Sequence, residues 1–121
     1  MSRYAALSAA TIAAGLLVHF AGGPLPAAAR DILGDALWAA MIYWLISWVR
    51  PRAAPLARAT TALAICFAVE LSQLIRAGWL DALRATSAGH LVLGSDFDAR
   101  DLLAYAAGIA VAAAIDRSVI R

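Results

Sequence analysis

The 121-residue chain contains no lysine, so all ten of its basic residues are arginine, and it has one cysteine and two histidines. The lone Cys66 excludes an internal disulfide and any multi-cysteine metal site; it lies mid-helix between Ile65 and Phe67 and reads as a small packed hydrophobe. His19 and His90 occur without HxxxH or HExxH spacing, and Ser72, Ser87 and Ser95 lack a GxSxG frame. The sequence therefore offers no metal, no cofactor and no nucleophilic-serine motif. Charged residues are scarce at 15%, and the net charge of +2 comes from arginines scattered among apolar spans. Such a pattern speaks against nucleic acid and for loops that report membrane topology. The lack of lysine beside abundant alanine reads as GC-rich bacterial codon usage rather than chemistry.

What remains is apolar. Hydrophobic residues make up 64% of the chain and the mean hydropathy is +0.78, an excess that one small domain cannot bury and that must face lipid. Residues 4–21 form a first span behind a short basic start. Pro26 and the alanines after it resemble a signal-peptide cleavage site, but the run is long enough to cross a bilayer and reads as a retained transmembrane helix. Gly22, Gly23, Pro24 and Pro26 break it. A second span covers residues 32–49, with Asp31 and Asp35 at its start, suited to the positive end of the helix dipole, and Trp38 and Trp48 near its ends as interfacial anchors. Pro51 and Pro55 frame a basic turn. The third span, residues 58–75, is interrupted by Glu70 and Gln73. A connection of 25 residues follows, with a short interfacial helix predicted over residues 79–85 and a hairpin or shallow re-entrant turn around His90. The fourth span covers residues 101–116, where Asp101 caps the helix and Ala104, Gly108 and Ala112 form a small-residue face for close packing. That face could serve the bundle or a neighbouring copy.

These features predict an all-α membrane protein, a bundle of four transmembrane helices with a structured connection between the third and fourth. Arg3, Arg50, Arg52, Arg58, Arg117 and Arg121 place both termini on the cytoplasmic side of a bacterial inner membrane by the positive-inside rule. Arg30, Arg76, Arg84 and Arg100 then lie outside, with every acid except Asp116. Four helix ends converge there, carrying His19, Asp31 and Asp35, Glu70 and Gln73, and Asp101.

Glu70 is the sharpest residue, because an acid inside a span costs on the order of a few kcal/mol and usually faces a cavity or a partner. Gln73 shares its helix face. The planar fork of Arg84 suits phosphate or carboxylate, and pairing with Asp81, Asp96 or Asp98 is its alternative. Arg76 reads as a snorkelling interfacial residue.

Gly34-Asp-Ala-Leu-Trp-Ala, Glu70-Leu-Ser-Gln, Trp79-Leu-Asp-Ala-Leu-Arg-Ala-Thr, Gly89-His-Leu-Val-Leu-Gly and Asp101-Leu-Leu-Ala-Tyr follow one another in fixed order. In this the chain resembles, from about His19 to Ile115, the bacterial membrane family catalogued as domain of unknown function 2809. More distantly, Glu70-x-x-Gln73 followed by Asp101 and Gly108 is similar to the VanZ-like pattern of small multi-span proteins, some linked to glycopeptide resistance. The tryptophan- and histidine-bearing insertion before Asp101 departs from that pattern. The resemblance implies Asp35, Glu70, Gln73, Asp81, Arg84, His90 and Asp101 as the ligand-binding candidates, and it implies no reaction.

The expected function is binding of an anionic amphiphile at the outer face, a phospholipid or polyprenyl-phosphate headgroup, with Arg84 on the anion and Glu70 and Gln73 on its polar atoms. Two other classes stay open. One is an enzyme on a lipid-linked substrate with Glu70 as general acid or base, assisted by His90. The other is a structural subunit or assembly factor whose charged cluster stabilises its own fold. Membrane lipids are the expected partners, with a homo-oligomer or a membrane protein partner open.

Overall fold

The computed structural model describes residues 3–75, 78–86, 89 and 99–120. Among them five α-helices follow one another: α1 (Arg3–Ala21), α2 (Ala27–Val49), α3 (Pro55–Ser72), α4 (Gly78–Ala85) and α5 (Ala99–Ile115), the last running on into a π-helical turn, Asp116–Ile120. The first three are long and apolar enough to cross a membrane, at 19, 23 and 18 residues.

Local chemistry sets the boundaries. Pro26 holds an extended backbone (φ −55°, ψ 145°) immediately before α2, and the three alanines after it are the strongest helix formers. The helix therefore starts at Ala27, five residues ahead of the expected Ile32. This moves Asp35 from the helix start to its third turn and Trp38 from an end to the middle, where it packs on the core. At the other end the Arg50 N–H closes on the Ile46 carbonyl at 2.8 Å, and Pro51 disfavours helix at the residue before it. Pro55 opens α3 at a position where no N–H is needed, three residues ahead of expectation, and α3 ends at Ser72 rather than 75. Hydroxyls inside these apolar helices return to their own backbone. Ser8 donates to the Tyr4 carbonyl, Ser47 to Tyr43 and Thr60 to Leu56, at 2.7–2.8 Å.

α2 lies at the centre, packed on α1, α3 and α5, and α3 also meets α5. Their shared core is Ala39, Ile42, Tyr43, Trp44, Ala62, Cys66, Tyr105, Ile109 and Ala112. The small-residue face of α5 turns inward onto it, with Ala104, Gly108 and Ala112 all buried. A Cβ at Gly108 would lie 2.1 Å from the Ala36 carbonyl oxygen, so α5 and α2 touch backbone to backbone there. Large apolar side chains cover the outside, among them Phe20 at 77% and Leu103 at 75% exposure. A surface of that kind suits lipid.

In the connection, residues 79–85 are helical as expected, forming α4 with Gly78. Arg76, His90, Asp96 and Asp98, with the hairpin expected around His90, lie outside the described residues.

An acidic cluster as candidate functional site

Glu70 sits in the last turn of α3 with 0% of its surface exposed. It accepts a hydrogen bond on Oε2 from the Tyr105 hydroxyl of α5 at 2.8 Å. Asp35 reaches the same region from α2 and Asp101 from the first turn of α5. The two aspartate carboxyls lie near each other, and Asp35 also feels the charge of Glu70. Three helices thus bring three carboxyls and a phenol together.

Asp101 is the third residue of α5, so its carboxyl faces Asp35 instead of capping the helix. His19 does not join the cluster. It is exposed at the end of α1, edge-on to Phe20 with ring centroids 4.6 Å apart. Asp31 is also exposed. Among the described residues, three helices supply this site.

Gln73 is buried at the C-cap of α3, 5% exposed. Arg84, in the last turn of α4 and 6% exposed, folds back over that helix end. Its Nη2 donates to the Ser72 carbonyl at 2.5 Å and its Nη1 to the Ile75 carbonyl at 3.1 Å. The Nη1 also pairs with Asp81 Oδ1 at 3.2 Å across one turn of α4. The terminal nitrogens of Arg84 therefore reinforce the end of α3, where the Ser72 carbonyl also accepts from the Ile75 N–H at 3.0 Å, and its Nε is a buried nitrogen with no hydrogen-bond partner among the described residues. Among the described residues no group of three His, Cys, Asp or Glu side chains is disposed to hold a metal ion.

The sequence model of one family, described as "Protein of unknown function (DUF2809)", matches residues 24–109, well over half of the chain. The chain belongs to the DUF2809 family. No solved structure matches it. The DUF2809 region takes in α2, α3 and α4, every acid of the cluster, Arg84, Tyr105 and Gly108.

A second network lies at the opposite end of the helices, and two of its residues, Tyr4 and Asp116, fall outside that region. Arg58, in the first turn of α3, and Asp116, just past α5, form a buried ion pair at 2.8 Å, each residue 4% exposed. The Tyr43 hydroxyl donates to Asp116 Oδ2 at 2.6 Å and the Tyr4 hydroxyl to Oδ1 at 2.8 Å. Arg58 also donates from Nη1 to Ser47 Oγ at 2.7 Å and from Nε to the Ala53 carbonyl at 2.9 Å. Its guanidinium lies 5.5 Å from the Tyr4 ring centroid and 5.6 Å from that of Tyr43. The convergence of four chain segments expected at the acidic end occurs at this one. The available signal was topological: antiparallel spans put Tyr4, Arg58 and Asp116 at one end, and Tyr43 and Ser47 share a face of α2 at spacing i, i+4.

Proposed function

We propose that this DUF2809 protein spans a bacterial inner membrane four times, with α5 and its π-turn as the fourth span and both termini cytoplasmic, and that its acidic end binds the polar headgroup of an amphiphile at the outer face. One observation carries the binding reading. Asp35, Glu70 and Asp101 leave three different helices to meet beside Tyr105 in a low-polarity setting, where carboxyl groups are costly unless donors reach them.

Such a cluster suits a headgroup with hydroxyl or ammonium donors. Arg84, held two residues beyond Glu70 by its bond to the Ser72 carbonyl, supplies the cation for the phosphate of a phospholipid or polyprenyl-phosphate lipid. In this reading Glu70, Gln73, Asp35 and Asp101 bond the polar atoms, and Asp81 orients Arg84 across α4.

Native mass spectrometry of the protein purified in mild detergent tests this. Lipid adducts of one headgroup class are expected on the wild type, and their occupancy should fall at least about tenfold in Glu70→Gln, the loss of roughly one charge-assisted hydrogen bond. Adducts that mirror bulk lipid composition and are equal in both proteins would overturn the reading.

The capping role of Arg84 favours a second reading, in which the cluster only pins α4 and α5 to α3. Glu70→Gln would then change the melting temperature and leave bound lipid unchanged.

A further inference from the structure

The two polar networks sit far apart along the same helices. Asp101 and Asp116 are fifteen residues apart on one continuous helical rod, about 22 Å at 1.5 Å per residue. Glu70 and Arg58 are twelve apart on α3, about 18 Å. Between them lies close-packed apolar core, including Ala39, Ala62, Cys66 and Ala112, each 0–1% exposed. The Arg58 end differs in kind from the acidic end. It carries its own cation, its own anion and two phenol donors, and these come from α1, α2, α3 and the turn after α5. Nothing in that set asks for an external partner: the Asp116 oxygens receive Tyr4, Tyr43 and Arg58.

We propose that Arg58, Asp116, Tyr4, Tyr43 and Ser47 form a clasp that locks this end of the helices shut against polar molecules. The lock follows from who is tied to whom. Helices α1 and α5 both pack on α2, and their contacts with each other fall below those of the packed helix pairs. Asp116 bridges that gap by accepting from Tyr4 of α1 while pairing with Arg58 of α3. Separating any one of these elements at this end strands a buried charge or a buried hydroxyl, which a dry interior penalises. What enters at the acidic end rests on the headgroup reading above; the clasp does not depend on it.

Cys66, the single cysteine, is 1% exposed within the core between the two ends, and it reports opening without any introduced label. The full-length protein in lipid nanodiscs is treated with N-ethylmaleimide and the adduct followed by intact mass, with helix content monitored by circular dichroism. Wild-type Cys66 should label slowly. Asp116→Asn, which leaves Arg58 without its counter-ion, should label at least about tenfold faster while retaining its helix content. Tyr43→Phe, which removes one hydroxyl and leaves the ion pair, should label faster by a smaller factor, and it keeps the test alive if Asp116→Asn does not fold. Leu56→Ala, on the exposed surface of α3 near Arg58, should match wild type. Labelling at the wild-type rate in both Asp116→Asn and Tyr43→Phe overturns the clasp, as does acceleration seen only with loss of helix content. Lipid adducts measured on the same samples keep the two readings apart, since absence of headgroup-specific lipid on wild type counts against the binding site and not against the clasp.

Discussion

Gly108→Ala offers the sharpest check on how α5 is seated. In a helix interior this change ordinarily stabilises by up to about 1 kcal/mol, because alanine loses less backbone freedom on folding. Here the new Cβ would fall 2.1 Å from the Ala36 carbonyl oxygen and 2.8 Å from Ala36 Cα and C. The obstacle is backbone, which cannot swing aside as a side chain would. To restore even a tight 3.0 Å contact, α5 must retreat from α2 by roughly 0.9 Å, an overpacking cost of about 1–3 kcal/mol. Tyr105 lies one turn away on the same face. Any lengthening of its 2.8 Å bond to Glu70 of α3 adds to that, up to about 1 kcal/mol. After the gain in helix propensity, a net destabilisation of about 1–3 kcal/mol is expected. Gly15→Ala and Gly34→Ala are the internal controls, because a Cβ at either position meets nothing within 4 Å; both should be neutral or stabilising. Thermal unfolding in detergent micelles, followed by circular dichroism, separates the cases by sign. If Gly108→Ala melts at or above the temperature of Gly34→Ala, the close α2–α5 contact is wrong.

Two further predictions concern the charged groups. Arg58→Met alone should cost about 3–5 kcal/mol by stranding Asp116, whereas the double change Arg58→Met with Asp116→Leu should recover most of that, as apolar replacement of a whole buried pair commonly does; a double-mutant cycle in chemical denaturation reads the coupling. Arg84→Ala should remove its bonds to the Ser72 and Ile75 carbonyls and fray the end of α3, raising amide exchange around residues 72–75 by a factor of about 5–100. Arg84→Lys should restore only part of the protection, because a single ammonium lacks the fork that meets two carbonyls and Asp81 together.

Much of this arrangement was legible in the sequence. Apolar run lengths located α1, α2 and α3, and the helix-forming character of Trp79 to Ala85 located α4 inside a connection otherwise rich in polar residues. The small residues Ala104, Gly108 and Ala112 announced a packing face, and the structure turns it inward onto α2. Other features depend on how each helix is rotated about its axis, which span length and charge do not determine. His19 and Asp35 both looked like end-of-span residues, yet one faces outward and the other inward, because α2 begins five residues early and carries Asp35 into its third turn. The fork of Arg84 suited an anion in composition alone, but α4 leads it back over the end of α3, where carbonyls already stand as acceptors. The Arg58–Asp116 pair escaped notice because the sequence separates the two by 58 residues and because both resembled routine charges at span ends.

The two ends also differ in what their charges require. At the clasp, an arginine, an aspartate and two phenols satisfy one another, so burial there is compensated from within the protein and the group serves to fix helix positions. At the acidic end the groups brought together by α2, α3 and α5 are three carboxyls and the Tyr105 hydroxyl, so acceptors outnumber the donors of that set. Burying that combination is a poor way to gain stability, since apolar packing at the same positions would carry no such requirement. A cluster assembled from three helices at positions where an apolar side chain would be cheaper points to a use for its acceptors. In the proposed reading, donors on a headgroup arriving from the membrane surface would join the Tyr105 hydroxyl at these acceptors.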